Sequence, residues 1–474
     1  MTRSEPTPVY RALRTLARAA LGLFYRHIEV TGLEHIDPEA PTILASTHPN
    51  SIVDPLLVGL SERRQVTFCA RDGLFRVPIF GALLRAVGAV AIRRSSDHAG
   101  PVDNEDAFAE CRAALARGGV ITIFPEGKTH ERLRVEPVKT GVARIALDAV
   151  RRGIDVQIVP VGLNYLVREA FRSDVHVAFG PPIPVHPTLA ELIEAHPEIA
   201  DRAQVKALTE RLESELRKLA IHIEAEEDER LIAQVTTLII GIRDAEGLDG
   251  EGQSPADRTA LVRRIIDAYR WLEEHDPIRC ARLRIGLQDY LAERRALGLG
   301  GVQTALQKRR EKRFGREDRS LLGPLGLVLG APLALLGVAA TILPYVTLRL
   351  MLLLGRPRSY RIALVKLLGG ALLFGSWFAL LVWSAWRAIG PGVALAVGLS
   401  LVPLGVFAHR YAIDLRLHRF GLRKNLRRLV YRRRFLGLQL RHRWLTRELA
   451  LLREAYLEQH PGEQAITAAR DRGG

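Results

Sequence analysis

The sequence predicts an α/β fold, in which a mostly parallel sheet flanked by helices is followed by a helical region and C-terminal transmembrane helices. Three observations indicate this order. Residues 41–185 alternate short apolar runs with helical patterns, which is typical of parallel sheets in α/β domains. Residues 186–320 are charge-rich and helical in pattern, and three uncharged apolar runs follow. We therefore predict an α/β domain over residues 1–185, a helical spacer or lid over 186–320, a membrane domain over 321–410 and a basic cytoplasmic tail over 411–474.

The elements of the first domain can be placed in chain order. Residues 9–24 predict an amphipathic helix, because apolar residues share one face at 100° per residue and three arginines occupy the other. This helix could lie in a membrane surface or pack on its own domain, and both interpretations stay open. Strands are predicted from PTILAST, QVTFCA, GAVAIRR, GVITIFP, VQIVPVGLNY and VHVAFG. Helices are predicted between them from DPLLVGL, IFGALLRAV, EDAFAECRAALARG and GVARIALDAVRRG.

Charge and cysteine content restrict the class of protein. The formal net charge is +16, so anionic partners are expected: nucleic acid, acidic lipid or phosphorylated substrates. Cys69, Cys111 and Cys280 lie far apart without CxxC spacing. This pattern favours a reducing compartment and argues against a disulfide framework or a metal site. We expect neither a metal nor a cofactor.

The apolar runs predict membrane helices. Residues 321–348, 367–386 and 391–408 carry no charge, and each is long enough, or nearly so, to cross a hydrocarbon core of about 30 Å. If their basic flanks stay cytoplasmic, the last two runs form a hairpin through AIGPG. The first run, which contains Pro332 and Pro344, must then dip into the membrane and return.

Composition adds a location and a partner. Only eight of the 68 basic residues are lysine, a bias typical of GC-rich bacterial genomes. We therefore expect a bacterial inner-membrane protein with its first domain on the cytoplasmic side. The basic tail follows directly on a membrane run and has few aromatic residues for base stacking. Anionic lipid is thus favoured as its partner over nucleic acid.

The segment STHPNSIVDPLL places a histidine and an aspartate around a turn. His48 precedes a proline, which favours extended backbone at the histidine, and Asp54 opens an apolar helical run. Ser51 and Asp54 also fit the Ser-x-x-Asp form of a capping box. The alternative is a His48 general base whose ring is oriented by Asp54, without a protein nucleophile.

A second polar segment, FPEGKTH, follows the predicted strand VITI. It is an ordinary turn signal, but Glu126 could accept hydrogen bonds from substrate hydroxyls. Lys128 and His130 lie in the same loop, and Lys139 comes just before a helix start, where cations and free N–H groups suit phosphate. The carboxyl ends of parallel strands meet at one sheet edge. We therefore expect these segments to converge there with Arg94.

The order THPNSIVD, GAVAIRR, FPEG and VPVGLNY resembles the four sequence blocks of the glycerophosphate acyltransferases, over about residues 20–185. The resemblance implies acyl transfer from an acyl thioester, acyl-CoA or acyl-carrier protein, to a glycerol-phosphate hydroxyl. It implies that His48 and Asp54 are the catalytic dyad and that Arg94 binds phosphate. It also assigns Glu126 and Gly127 to the acceptor-binding block. Lys128 and Lys139 are added because they flank the FPEGKTH loop. The predicted substrate-binding set is therefore Arg94, Glu126, Gly127, Lys128 and Lys139.

Two features differ from the common family pattern. Five residues, not four, separate His48 from Asp54, and Lys128, Thr129 and His130 stand where the third block commonly has Thr-Arg-Ser. Both resemble the branch that acylates glycerol-3-phosphate or dihydroxyacetone phosphate and carries C-terminal membrane spans. We expect the turn around Ser51 to absorb the extra residue. A lysophospholipid acceptor, or a membrane-tethered basic binding protein without enzyme activity, remain as alternatives.

Overall fold

The computed structural model of the chain describes residues 6–94, 97, 103–168, 170–185, 197–246, 254–298 and 324–460. They divide into two compact units. The first comprises the chain up to Glu224 together with residues 254–259 and 355–371, and the second comprises the remainder.

The first unit is built on a seven-stranded sheet. Its strands are β1 His27–Thr31, β2 Thr42–Ser46, β3 Val66–Arg71, β4 Val90–Ile92, β5 Val120–Ile123, β6 Gln157–Tyr165 and β7 Asp174–Phe179. They lie in the order β1-β7-β6-β2-β5-β3-β4. Strands β6, β2, β5, β3 and β4 run parallel, whereas β7 is antiparallel to β6 and pairs in parallel with β1. The predicted mostly parallel sheet is confirmed, and β1 is a strand that the sequence patterns did not predict.

Helices cover both faces of this sheet. They are α1 Pro8–Phe24, α2 Val53–Ser61, α3 Pro78–Ala86, α4 Glu105–Ala116, α5 Gly141–Arg151 and α6 Pro197–Leu219, with short 3-10 turns at Leu33–His35 and Asp72–Arg76. Successive side chains of a strand point to opposite faces. Ile43 accordingly packs in one core with α4, α5 and α6, and its neighbour Leu44 packs in another with α1 and α2. The predicted fold class is thereby confirmed.

The first unit continues past residue 185, where the sequence analysis placed a domain boundary. Leu212 and Leu216 of α6 are buried in the same core as Ile43. Further along the chain, Ala363 and Leu367 are buried in the core that contains Leu44. The sheet therefore recruits helices from segments that sequence analysis assigned to a spacer and to the membrane domain.

The second unit is helical. Its helices, some of which share residues with the first unit, are α7 Glu226–Glu246, α8 Pro255–His275, α9 Pro277–Ala296, α10 Pro324–Gly355, α11 Ser359–Ala388, α12 Pro391–Val430 and α13 Arg432–Gln459. An apolar cluster joins α7, α9 and α13 through residues that include Leu238, Leu287 and Leu445. The segment predicted as a tail thus contains a packed helix.

Three helices of the described chain are long and apolar enough to cross a membrane: Gly326–Gly355, Arg361–Ala388 and Pro391–Arg416. The last two are joined by Ile389 and Gly390, as expected for a hairpin. The prediction that the first run dips in and returns is wrong. Helix α10 is continuous over 32 residues, about 48 Å at 1.5 Å per residue, and Pro332 and Pro344 lie inside it. Each proline removes only one intrahelical hydrogen bond, and neighbouring helices can accommodate that loss.

Candidate active site

The segments with polar side chains follow strands at one edge of the sheet. His48 comes two residues after β2, Glu126 three residues after β5, and Tyr165 is the last residue of β6. These three strands are parallel neighbours, so their carboxyl ends lie side by side. The sheet topology alone therefore brings the first, third and fourth sequence blocks together.

His48 and Asp54 are in direct contact. His48 Nδ1 lies 2.9 Å from Asp54 Oδ2, and the Asp54 side chain is fully buried. The backbone N–H of Asn50 donates to Asp54 Oδ2 at 2.6 Å, and the hydroxyl of Tyr165 donates to Oδ1. Burial, and next the charge of Asp54, raise the pKa of Tyr165, so this phenol stays protonated and remains a donor. Three donors are thus directed at the one carboxyl group of Asp54.

The capping-box interpretation of this turn is wrong. Ile52, not Ser51, is the N-cap of α2, and no side chain caps the helix. The carboxylate of Asp54 instead accepts from His48, Asn50 and Tyr165. Ser51 has φ of 51°. This left-handed conformation makes the turn tight, so that the ring of His48 and the backbone N–H of Asn50 both reach Asp54. The extra residue between His48 and Asp54 is accommodated within this turn.

The ring of His48 is held in a defined orientation. It stacks on Phe124 with ring centroids 4.2 Å apart and planes 28° apart, and 12% of its side chain is exposed. Because Asp54 accepts at Nδ1, that nitrogen carries a proton and Nε2 keeps its lone pair. The geometry of the pair leaves Nε2 as the ring nitrogen that can take up a proton from a bound group.

Glu126 contacts the backbone of His48 and is only 2% exposed. Its Oε1 accepts the backbone N–H of His48 at 3.4 Å, and its Oε2 contacts His130 Nε2. The other nitrogen of His130, Nδ1, is 3.1 Å from the carbonyl oxygen of Arg132. Both oxygens of Glu126 are thus occupied by groups of the protein.

Lys139 joins the same loop from the start of α5. Gly127 has φ of +72°, and a Cβ atom at this position would lie 2.5 Å from Lys139 Nζ. The lysine amine therefore packs directly over the glycine next to Glu126. Lys128 points elsewhere: it is 3.6 Å from Glu136, and 65% of its side chain is exposed.

Arg94 lies at the same edge but farther along it. It follows β4, which is three strands from β2, about 14 Å at the usual strand spacing. Burial lowers the pKa of Arg94. The charge of the neighbouring Arg71 lowers it further, whereas the charge of Asp97 raises it. The structure thus places five of the predicted residues close together: His48, Asp54, Glu126, Gly127 and Lys139. Arg94, with its neighbour Arg71, forms a separate basic cluster farther along the same edge.

Several residues of this site were not predicted from the sequence. Asn50 and Tyr165 hold Asp54, Phe124 stacks on His48, and Arg168 donates through Nη1 to the carbonyl of His130 at 3.1 Å. The only available signal was position, since Phe124 and Tyr165 stand at strand ends. Within the described part of the chain, no group of three or more His, Cys, Asp or Glu side chains is placed to hold a metal ion.

A buried histidine–carboxylate pair with cationic side chains nearby, at the carboxyl edge of a parallel sheet, is typical of an enzyme that activates a hydroxyl group. Residues 27–164 match the family model described as Acyltransferase. The predicted resemblance to the glycerophosphate acyltransferases is confirmed by this match and by the relatives that follow.

Relatives agree with this assignment. The chain is 22% identical over 278 residues to an uncharacterized acyltransferase of Schizosaccharomyces pombe, covering 40% of this chain and 41% of that protein. It is 35% identical over 117 residues to a glycerol-3-phosphate O-acyltransferase of Saccharomyces cerevisiae, covering 24% and 16%. It is 27% identical over 191 residues to a chloroplastic 1-acyl-sn-glycerol-3-phosphate acyltransferase of Arabidopsis thaliana, covering 38% and 49%. The matched part spans less than half the length of each of these relatives.

Proposed function

We propose that the protein is a membrane-bound O-acyltransferase of phospholipid biosynthesis. It moves a fatty acyl group from acyl-CoA or acyl-carrier protein to the hydroxyl of glycerol-3-phosphate or dihydroxyacetone phosphate. The observation that carries this proposal is the buried pair of His48 and Asp54, with Nδ1 and Oδ2 2.9 Å apart. The similarity to a yeast glycerol-3-phosphate O-acyltransferase supports the choice of acceptor.

The reaction is direct transfer. His48 Nε2 takes the proton of the acceptor hydroxyl, and the oxygen attacks the thioester carbonyl carbon. Asp54 stabilises the imidazolium that forms. As the tetrahedral intermediate collapses, the C–S bond breaks and the thiolate takes the proton from His48. N–H groups at a helix start are suited to hold the oxyanion, and no cofactor is required.

Cationic side chains bind the acceptor phosphate in this proposal. Lys139 is placed beside the loop of Glu126 and Gly127, and Arg94 stands at the same sheet edge. Lys128, in the same loop, is a more exposed contributor. A phosphorylated acceptor also agrees with the overall charge of +16.

The membrane provides the product's destination. A fatty chain favours the bilayer by about 0.8 kcal/mol per buried CH₂, and the three apolar helices would keep the enzyme at that surface. We propose that the protein lies in a bacterial inner membrane with the catalytic unit on the cytoplasmic side. Its basic residues would bind anionic lipid.

A lysophosphatidate acceptor is the second candidate, because the Arabidopsis relative is named for that substrate. A purified full-length enzyme in lipid nanodiscs, supplied with labelled acyl-CoA or acyl-carrier protein, would distinguish the acceptors. The panel is glycerol-3-phosphate, dihydroxyacetone phosphate, 1-acylglycerol-3-phosphate and glycerol. We expect transfer to one of the first two and none to glycerol.

His48→Ala should lower turnover at least ~10²-fold, the usual scale for loss of a general base. His35→Ala is the matched control, because His35 is exposed and follows β1, which runs opposite to β2. Near-normal turnover by a folded His48→Ala protein would exclude the mechanism. Absence of transfer to every phosphorylated acceptor would exclude the function.

A further inference from the structure

The site contains a second histidine–carboxylate pair, formed by Glu126 and His130. The resemblance to known acyltransferases gives Glu126 a role in binding the acceptor. In the structure its side chain is fully buried and that of His130 is 10% exposed. Both oxygens of Glu126 already have protein partners. A buried carboxyl group whose two oxygens both have protein partners is a poor ligand for an incoming hydroxyl.

The hydrogen bonds define how many protons this pair holds. The carbonyl oxygen of Arg132 can only accept, so Nδ1 of His130 carries a proton. Nε2 then faces Glu126 Oε2, and contact between two lone pairs would be repulsive. One further proton must therefore lie between Nε2 and Oε2, so the pair as a whole is electrically neutral.

This neutrality matters because of two neighbours. Glu126 Oε1 accepts the backbone N–H of His48, so the pair supports the residue that acts as base. On the other side, the amine of Lys139 packs over Gly127. An uncompensated carboxylate here would attract that amine and repel an anionic acceptor. Lys139 has no carboxylate partner among the described residues, and it stays available to an anion.

We propose that His130 is a positioning residue: it shares a proton with Glu126, so that the buried carboxyl group supports His48 without opposing a phosphorylated acceptor. This inference rests on the proposed function for the identity of the acceptor. It gives Glu126 a supporting role and leaves the phosphate to Lys139 and Arg94.

Three variants of the full-length protein test the pair: His130→Gln, Glu126→Gln and the double variant. In His130→Gln the new amide can still donate to Glu126, but the shared proton is gone and a buried charge is left uncompensated. We expect the KM for glycerol-3-phosphate to rise at least ~10-fold, with little change in the KM for the acyl donor. His35→Gln, the same substitution at an exposed histidine, should change neither.

Glu126→Gln and the double variant should both be less damaging than His130→Gln. In Glu126→Gln the new amide can donate to a neutral His130 while its oxygen still accepts the His48 N–H. We therefore expect Glu126→Gln to raise the KM for glycerol-3-phosphate, and to lower the unfolding midpoint, less than His130→Gln does, since no polar group is left unpaired. The double variant removes the charge and should restore most of the loss seen in His130→Gln. If Glu126→Gln is as damaging as His130→Gln, or if the double variant is worse than either, the proposal is wrong.

Thermal unfolding without substrate separates this proposal from the proposed function. His130→Gln should lower the midpoint by ~5 °C or more, and the double variant should recover it. These shifts are expected even if the parent protein acylates none of the acceptors, in which case only the proposed function fails. If His130→Gln cannot be purified, the double variant should still fold. Additive losses of stability in the double variant would overturn the pairing.

Discussion

At Ser51 the backbone has φ of 51°, a left-handed conformation that costs a non-glycine residue roughly 1–2 kcal/mol. Strain of this kind persists where neighbouring contacts over-determine the geometry. Here the turn brings the ring of His48 and the N–H of Asn50 onto the same oxygen of Asp54. The strain is therefore a cost of building the dyad.

Ser51→Gly should keep the transfer rate, because glycine adopts this conformation without a steric penalty. The free energy of unfolding should be unchanged or up to ~1 kcal/mol higher, since relief of strain is partly offset by the larger entropy of unfolded glycine. Ser51→Val should lower the free energy of unfolding, because a β-branched residue is disfavoured at positive φ. Denaturant unfolding and a single-turnover assay would measure both. An inactive Ser51→Gly protein, or an acyl adduct on Ser51 by mass spectrometry, would instead indicate an acyl-enzyme intermediate.

The two proposed phosphate ligands can be separated from general damage to the site. Lys139→Ala and Arg94→Ala should each raise the KM for the phosphorylated acceptor more than the KM for the acyl donor. Arg94→Lys should rescue only in part, because a guanidinium binds phosphate through two parallel hydrogen bonds and an ammonium does not. Lys128→Ala is the control in the same loop, with a smaller expected effect because this side chain is exposed and faces Glu136. Equal effects on both substrates would contradict the assignment.

At this scale, the sequence predicted the residues that carry charge but not those that orient them. His48 and Asp54 are close in the chain, so their contact could be predicted from one turn. Tyr165 reaches Asp54 from 111 residues away, and that contact depends on β6 lying next to β2. Strand order cannot be read from local patterns, because the central strands β2, β5 and β6 are largely apolar and buried on both faces.

Helix α1 shows how an element can satisfy two competing interpretations. Tyr10, Leu21 and Phe24 are buried against the first unit, whereas Val9, Leu16 and Leu23 are about half exposed or more. The helix therefore packs on its own domain and still presents an apolar stripe. A helical wheel gives the angles between residues but not the direction of the neighbouring sheet, so sequence analysis could not separate these faces.

The exposed stripe should contact lipid headgroups in the full-length protein. A nitroxide label at Leu16→Cys, in a variant whose native cysteines are alanine, should be more accessible to oxygen than to a polar nickel complex in nanodiscs. A label at Arg18→Cys, on an exposed part of the same helix, should show the reverse. Equal accessibility of the two labels to the nickel complex would mean that the stripe faces water.

For the whole molecule, the unit that contains the candidate site is not one contiguous segment of the chain, because residues 355–371 belong to it. Ala363 is fully buried and Leu367 is 9% exposed, both in the core that contains Leu44 and Leu57. Sequence analysis assigned these residues to the membrane domain or its flank because their neighbours are apolar. Composition cannot distinguish a helix buried by protein from one buried by lipid, and so the return of the chain could not be predicted.

Leu367→Ala should therefore destabilise the catalytic unit by about 2–4 kcal/mol, the usual cost of truncating a buried leucine. Leu368→Ala is the matched control, because this neighbour is 54% exposed. Hydrogen exchange of the β2 amides, which lie in the same unit, would report the difference. Similar protection in the two variants would show that residues 355–371 do not stabilise the sheet.

The late return of residues 355–371 also sets an order of events during synthesis. The chain up to Glu224 contains every strand that the structure describes, yet about 150 further residues must be made before its core is complete, roughly 8–30 s at usual elongation rates. During that interval the core around Leu44 and Leu57 lacks the part that Ala363 and Leu367 supply, while α10 has already been synthesised and can enter the bilayer. On the proposed function, the nascent chain can thus reach the membrane before the core of its first unit closes, and that unit would finish folding where lipid is present.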